Sequence, residues 1–84
     1  MIKSGNGWKG EVYGTCPVEG EGEIEGLRWH FRSRGSKWTI NIENHPELAS
    51  SEEWGEWPDA GYMHHDEAWK LIINYLEKTQ KKLI

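Results

Sequence analysis

From Val18 to Ile42 the chain alternates between two kinds of position in steps of two. Val18, Ile24, Leu27, Trp29, Phe31, Trp38, Ile40 and Ile42 fall on one side of that alternation, and charged or polar residues fall on the other. A period of two predicts half-buried strands. Two turns divide the run. Glu25-Gly26 and Arg34-Gly35 each suit a two-residue hairpin connection, because glycine takes up the positive φ such turns require. The first turn sets Ile24 opposite Leu27, Gly22 opposite Trp29 and Gly20 opposite Phe31. The second sets Phe31 opposite Trp38, Trp29 opposite Ile40 and Leu27 opposite Ile42. Both hairpins put the same residues on one face, which is the agreement a correct register requires. Gly20 and Gly22 leave room beneath the large rings of their neighbours.

Upstream, Trp8, Gly10, Val12 and Gly14 alternate with Lys9, Glu11, Tyr13 and Thr15, predicting a first strand over 8–15. Cys16-Pro17 then makes a turn, since proline fixes φ and lacks an N–H donor. Residues 1–7, rich in Gly, Ser and Asn, are expected to be a flexible lead-in. At the other end the period changes. Ala68, Trp69, Ile72, Ile73, Leu76, Thr79 and Leu83 form a stripe at helical spacing and predict a helix over 66–82. Asp66 and Glu67 in its first turn, and Lys78, Lys81 and Lys82 near its end, complement the helix dipole. Leu71 lies off the stripe and is expected to be exposed. The predicted fold is α+β. It is a small antiparallel meander of about four strands (8–15, 18–24, 27–33 and 36–42), with the C-terminal helix packed on one face, and it forms a single domain over 8–84.

The connection over 44–65 is long for so small a domain. Ser50-Ser51-Glu52-Glu53 meets the capping-box pattern and predicts a short helical turn. Pro46, Gly55, Pro58 and Gly61 break regular structure around it. The last strand, 37–43, is expected to be an edge without proline and so a place where a homodimer could pair.

Composition changes this picture in three ways. The chain has 84 residues and six Trp, so a few large rings must supply much of its core. Cys16 is the single cysteine, which rules out an intrachain disulfide or a Cys-rich zinc site and fits a reduced thiol in a cytoplasmic protein. No leader-like segment is read at the N-terminus, and no apolar run approaches membrane-spanning length. The net charge of −4 argues against direct nucleic-acid binding. The polar sheet face carries Arg28, His30, Arg32 and Lys37, but the register sets Glu23, Glu21 and Glu19 opposite the first three. That face is therefore expected to be solvated and ion-paired, leaving Arg34 without an acidic neighbour.

Candidate chemistry concentrates between Trp38 and Trp69. This stretch holds eight carboxylates (Glu43, Glu47, Glu52, Glu53, Glu56, Asp59, Asp66 and Glu67) and no Lys or Arg. Trp54, Trp57 and Tyr62 sit among them. Such rings either close the open end of the sheet–helix sandwich or anchor an interface. The candidate binding residues are Glu43, Glu47, Glu52, Glu53, Trp54, Glu56, Trp57 and Asp59. His64-His65-Asp66 suggests metal ligands, but adjacent residues rarely converge on one ion, so no metal site is expected. Cys16 has no specified base or orienting acid. Gly5-Asn6-Gly7 and Gly20-Glu21-Gly22 complete no phosphate-binding fingerprint. No catalytic role and no cofactor are expected.

The expected function is that of a small acidic protein-interaction module. Its partner would be the basic surface of a larger protein or nucleoprotein complex. In size, charge and expected compartment the chain resembles small acidic phage inhibitors of host defence nucleases, including anti-CRISPR proteins, although no motif assigns it to such a family. The alternative is a small-ligand or glycan-binding domain built on exposed Trp54 and Trp57.

Overall fold

The period-two segments do become strands. The computed structural model describes residues 1–83. It contains β1 (Ile2–Gly5), β2 (Trp8–Tyr13), β3 (Val18–Ile24), β4 (Leu27–Arg34), β5 (Lys37–Ile42) and β6 (Ser50–Glu53), followed by α1 (His65–Leu83). The strands lie side by side in sequence order and every neighbouring pair is antiparallel. The α+β meander with one C-terminal helix is as predicted, with six strands in place of about four.

Both additional strands correct expectations from local pattern. Residues 1–7, expected to be a flexible lead-in, instead form β1 and its turn. Ile2 pairs with Glu11 and Gly5 with Trp8 across Asn6-Gly7, where Gly7 has φ +84°. The predicted helical turn at Ser50–Glu53 is instead β6, which runs from Ser50 opposite Ile40 to Glu53 opposite Lys37. A capping box satisfies two backbone donors, whereas the exposed flank of β5 offers a whole row of partners. The same pairing covers the first four residues of the predicted edge at 37–43. Lys37–Ile40 are already paired, so no homodimer edge exists along them.

Pairing of β3 with β4 follows the predicted register, including Gly20 opposite Phe31 and Gly22 opposite Trp29. The β4–β5 register is displaced by two residues. Its turn is Gly35-Ser36, with Gly35 at φ +69°, so Phe31 faces Ile40 and Trp29 faces Ile42. A slip of two preserves every face because side chains alternate with period two. The predicted apolar face therefore survives the error. Val18, Ile24, Trp29, Phe31, Trp38, Ile40 and Ile42 are buried, and Leu27 is half-buried against them.

The helix covers this face. Ala68, Trp69, Ile72, Leu76 and Thr79 are buried, while Ile73 and Leu83 pack at the margins. Leu71, expected to be exposed, also packs partly against the core. Trp69 meets Trp29 edge-on, with ring centroids 6.0 Å apart and planes at 73°, and lies 5.8 Å from Trp8. Each buried indole N–H has an acceptor: Trp29 donates to the Lys9 carbonyl and Trp69 to the Met1 carbonyl, both at 3.1 Å. Room for these rings comes from glycine. A Cβ on Gly10 would collide with the Trp29 ring, and one on Gly22 with the Lys9 carbonyl oxygen.

At the β5–β6 end, the Tyr75 hydroxyl donates to the Leu48 carbonyl and ties α1 to the 3-10 turn Pro46–Leu48. Burial pushes the Tyr75 phenol above its ordinary value, partly opposed by a hydrogen bond with Thr79.

Two predictions follow from this packing. Gly22→Ala should cost about 1–3 kcal/mol, as backbone overpacking does, measured by urea unfolding. A Tyr with a raised folded-state value stabilises fully below its unfolded value of about 10 and loses that contribution as pH rises through the folded value. Unfolding midpoints should therefore fall above about pH 10, and Tyr75→Phe should flatten that limb while costing about 1 kcal/mol at neutral pH.

Candidate functional site

The carboxylates that are contiguous in sequence are not gathered in space. Glu43 and Glu47 follow the C-terminal end of β5. Glu53 pairs with Lys37 at the other end of that strand, about 17 Å away for a strand of this length. Alternation then divides β6 itself. Glu52 lies on the helix side, in a cleft of about 130 Å³ with Trp38, Leu71, Tyr75 and Lys78. Glu53 lies on the open side. Glu47 forms a local pair with His45 at 3.1 Å. A bond from its own backbone amide, helped by that imidazole, holds the Glu47 carboxyl below its ordinary value. Asp59 accepts from the Glu56 amide at 3.0 Å and closes a turn.

The aromatic residues divide just as sharply. Trp54 packs partly against the core. Trp57 is 78% exposed and Tyr62 61% exposed. Both stand on the segment 54–62, which closes one end of the sandwich through buried Ala60 and the adjacent Met63. That segment is held by backbone bonds to two hairpin turns: Trp54 N–H to Ser36 at 2.8 Å, Ala60 N–H to Gly35 at 2.9 Å, and Cys16 N–H to Gly61 at 2.6 Å. The buried Ser33 hydroxyl donates to the Ala60 carbonyl at 2.7 Å. The segment is thus a lid, and its two outward rings are not part of the plug. A paired Trp54–Trp57 platform is not formed.

The His residues take separate positions. The His65 ring bonds the Gly14 carbonyl at 2.8 Å and secures the start of α1, while His64 is exposed. Among the described residues, no three His, Cys, Asp or Glu side chains are grouped to hold a metal ion. Among the same residues, no helix is long and apolar enough to cross a membrane.

No protein-family model matches the chain, and comparison with characterised proteins and with solved structures finds no significant match to either.

The open face of the sheet shows a feature that residue spacing did not reveal. Its charged contacts are of two kinds: Lys9 pairs with Glu23 directly across at 3.7 Å, whereas Arg28 reaches Glu21 diagonally at 3.7 Å and the His30 ring lies 3.4 Å from Glu19, also on the diagonal. Glu19 makes no contact within 4.0 Å with Arg32, the partner its register position implied. These pairs are well exposed and individually contribute little. Glu11, Glu19 and Glu21 surround Tyr13; its phenol is raised above the ordinary value, first by desolvation and then by those carboxylates. The face is thus acidic along β2–β3 and basic along β4–β5.

The split between the two loop Trp residues is directly measurable. Trp57→Ala should change stability by less than about 0.5 kcal/mol, whereas Trp54→Ala should cost about 1–3 kcal/mol. Acrylamide quenching should be dominated by Trp57 and should drop sharply in Trp57→Phe.

Proposed function

We propose that the protein is a small, non-catalytic protein-interaction module acting in the cytoplasm. It docks through the lid end of the sheet, where Trp57 and Tyr62 project. The observation that carries this reading is the 78% exposure of Trp57 on a segment secured by backbone bonds to two separate turns. An indole held in water by an ordered loop enters an interface without the entropy cost of fixing it first. Trp and Tyr are the residue types that most often dominate binding energy. Glu53, Glu56 and Asp59 lie on β6 and the same segment, supplying charge complementarity to a basic partner. Glu43 and Glu47, at the far end of β5, fall outside this surface. Glu52, on the helix side of β6, does not share the open face with Glu53.

A narrower version makes the target a nucleic-acid-handling complex, with the protein as its inhibitor. The acidic segment supports that version. The alternative of a glycan or small-ligand platform has one free ring, Trp57, in place of the two it requires.

The test is a pull-down at low and high salt with the wild-type protein, the Trp57→Ala/Tyr62→Ala variant and the Glu53→Lys/Glu56→Lys variant. A specific partner should be retained by the wild type and released by salt. Its affinity should fall roughly 30-fold or more in the aromatic variant, as loss of a hot spot implies, and by a smaller factor in the charge variant. Retention of the same proteins by all three would contradict the reading.

A further inference from the structure

The basic half of the open face is a groove of about 580 Å³ lined by His30, Arg32, Arg34, Lys37, Thr39 and Asn41. The register stacks these residues as rungs: Arg34 opposite Lys37, Arg32 opposite Thr39 and His30 opposite Asn41. Every rung offers hydrogen-bond donors. Among the described residues, Arg32, Arg34 and Lys37 have no carboxylate within 4.0 Å. The acids set opposite two of them in register make no direct contact: Glu19 lies against the His30 ring at 3.4 Å, and Glu53 sits across from Lys37 without an ion pair. Directly opposed like charges, such as Arg34 and Lys37, destabilise a sheet unless an anion lies between them.

Trp57 is not one of the groove's lining residues but meets the turn at its end. Its pyrrole edge lies beside Gly35, 3.3 Å from where a Cβ would stand there, and Gly35 forms the groove's end. A basic groove tracking a backbone, with an exposed ring on which a base can stack, is the arrangement that holds single strands. Donors repeated every two residues along a strand, about 7 Å apart, suit a polymer with a repeating anion better than one isolated phosphate. We propose that the β4–β5 groove binds the backbone of single-stranded nucleic acid, with Trp57 as a stacking platform at its Gly35 end. The acidic β2–β3 half beside it repels a second strand and confines binding to the groove. The proposal departs from the expectation drawn from net charge alone, because it rests on three cations on one strand pair and not on the mean of the whole surface. It does not rest on the protein-docking reading, since it requires no partner protein.

The experiment is fluorescence anisotropy of the purified protein with labelled ~20-nucleotide DNA and RNA single strands, a duplex of equal length and a mononucleotide, across a salt series. Three phosphate contacts imply a log–log salt slope near −2, so affinity should fall roughly 20-fold between about 50 and 200 mM salt. Arg32→Gln/Arg34→Gln/Lys37→Gln should remove most of that slope while folding normally by circular dichroism, since it also relieves the opposed charges. Trp57→Ala should weaken binding about fivefold or more without changing the slope. No binding at the lowest salt would overturn the proposal. So would an unchanged slope in the triple variant, a duplex bound as tightly as the single strand, or a mononucleotide bound as tightly as the longer strand. The triple variant leaves the aromatic docking surface intact, so its failure and the failure of the docking reading are separable.

Discussion

Everything in this molecule depends on one helix covering one face of one sheet through the contact of Trp69 with Trp29 and Trp8. An 84-residue chain has no second core to fall back on. Each indole buries on the order of 200 Å² when enclosed, so these rings hold a large share of the apolar burial. Their size sets the remaining demands. Glycine must stand at positions 10 and 22, where a Cβ would strike a ring or the neighbouring backbone. Both indole N–H groups must find carbonyls, and they find them on Met1, just before β1, and on Lys9 in β2. The N-terminal strand is therefore bonded to the core that its composition suggested it would avoid.

A single covering helix also determines where function can reside. The helix uses the apolar face, so the opposite face stays in water and carries the charges. The ends of the sandwich need closing, and the 54–63 segment closes one of them with Ala60 and Met63. Once closed by small and medium side chains, that end has no use for Trp57 or Tyr62 inside. Their exposure on a well-anchored lid supports the docking reading. The unequal charge of the open face, acidic on one side and basic on the other, supports the single-strand reading.

Legibility in the sequence followed the range of the interaction. The apolar face could be read from alternation, and it withstood a two-residue register error at Gly35-Ser36 because period two is blind to that slip. The helix could be read from its stripe. Local motifs misled where a longer-range partner was available. Ser50–Glu53 resembles a helix start but lies beside an unpaired strand, and pairing prevailed. Asn6-Gly7 carried a strong hairpin signal that the small, polar composition around it obscured. The candidate site was least legible. Eight carboxylates in one stretch suggested one surface, yet a strand's alternation places Glu52 and Glu53 on opposite sides and β5 separates Glu43 from Glu53. Whether Glu19 chooses His30 or Arg32 depends on side-chain geometry that spacing does not encode, and that choice leaves Arg32 without a carboxylate in direct contact.

The most direct test of the central claim is residue-resolved native-state hydrogen exchange. If the Trp69–Trp29 contact joins sheet and helix into one cooperative unit, amides of Ile72 and Leu76 should exchange with the same opening free energy and denaturant dependence as those of Trp29, Phe31 and Ile40. Helix amides that open at a clearly lower free energy, with the sheet amides still protected, would contradict it.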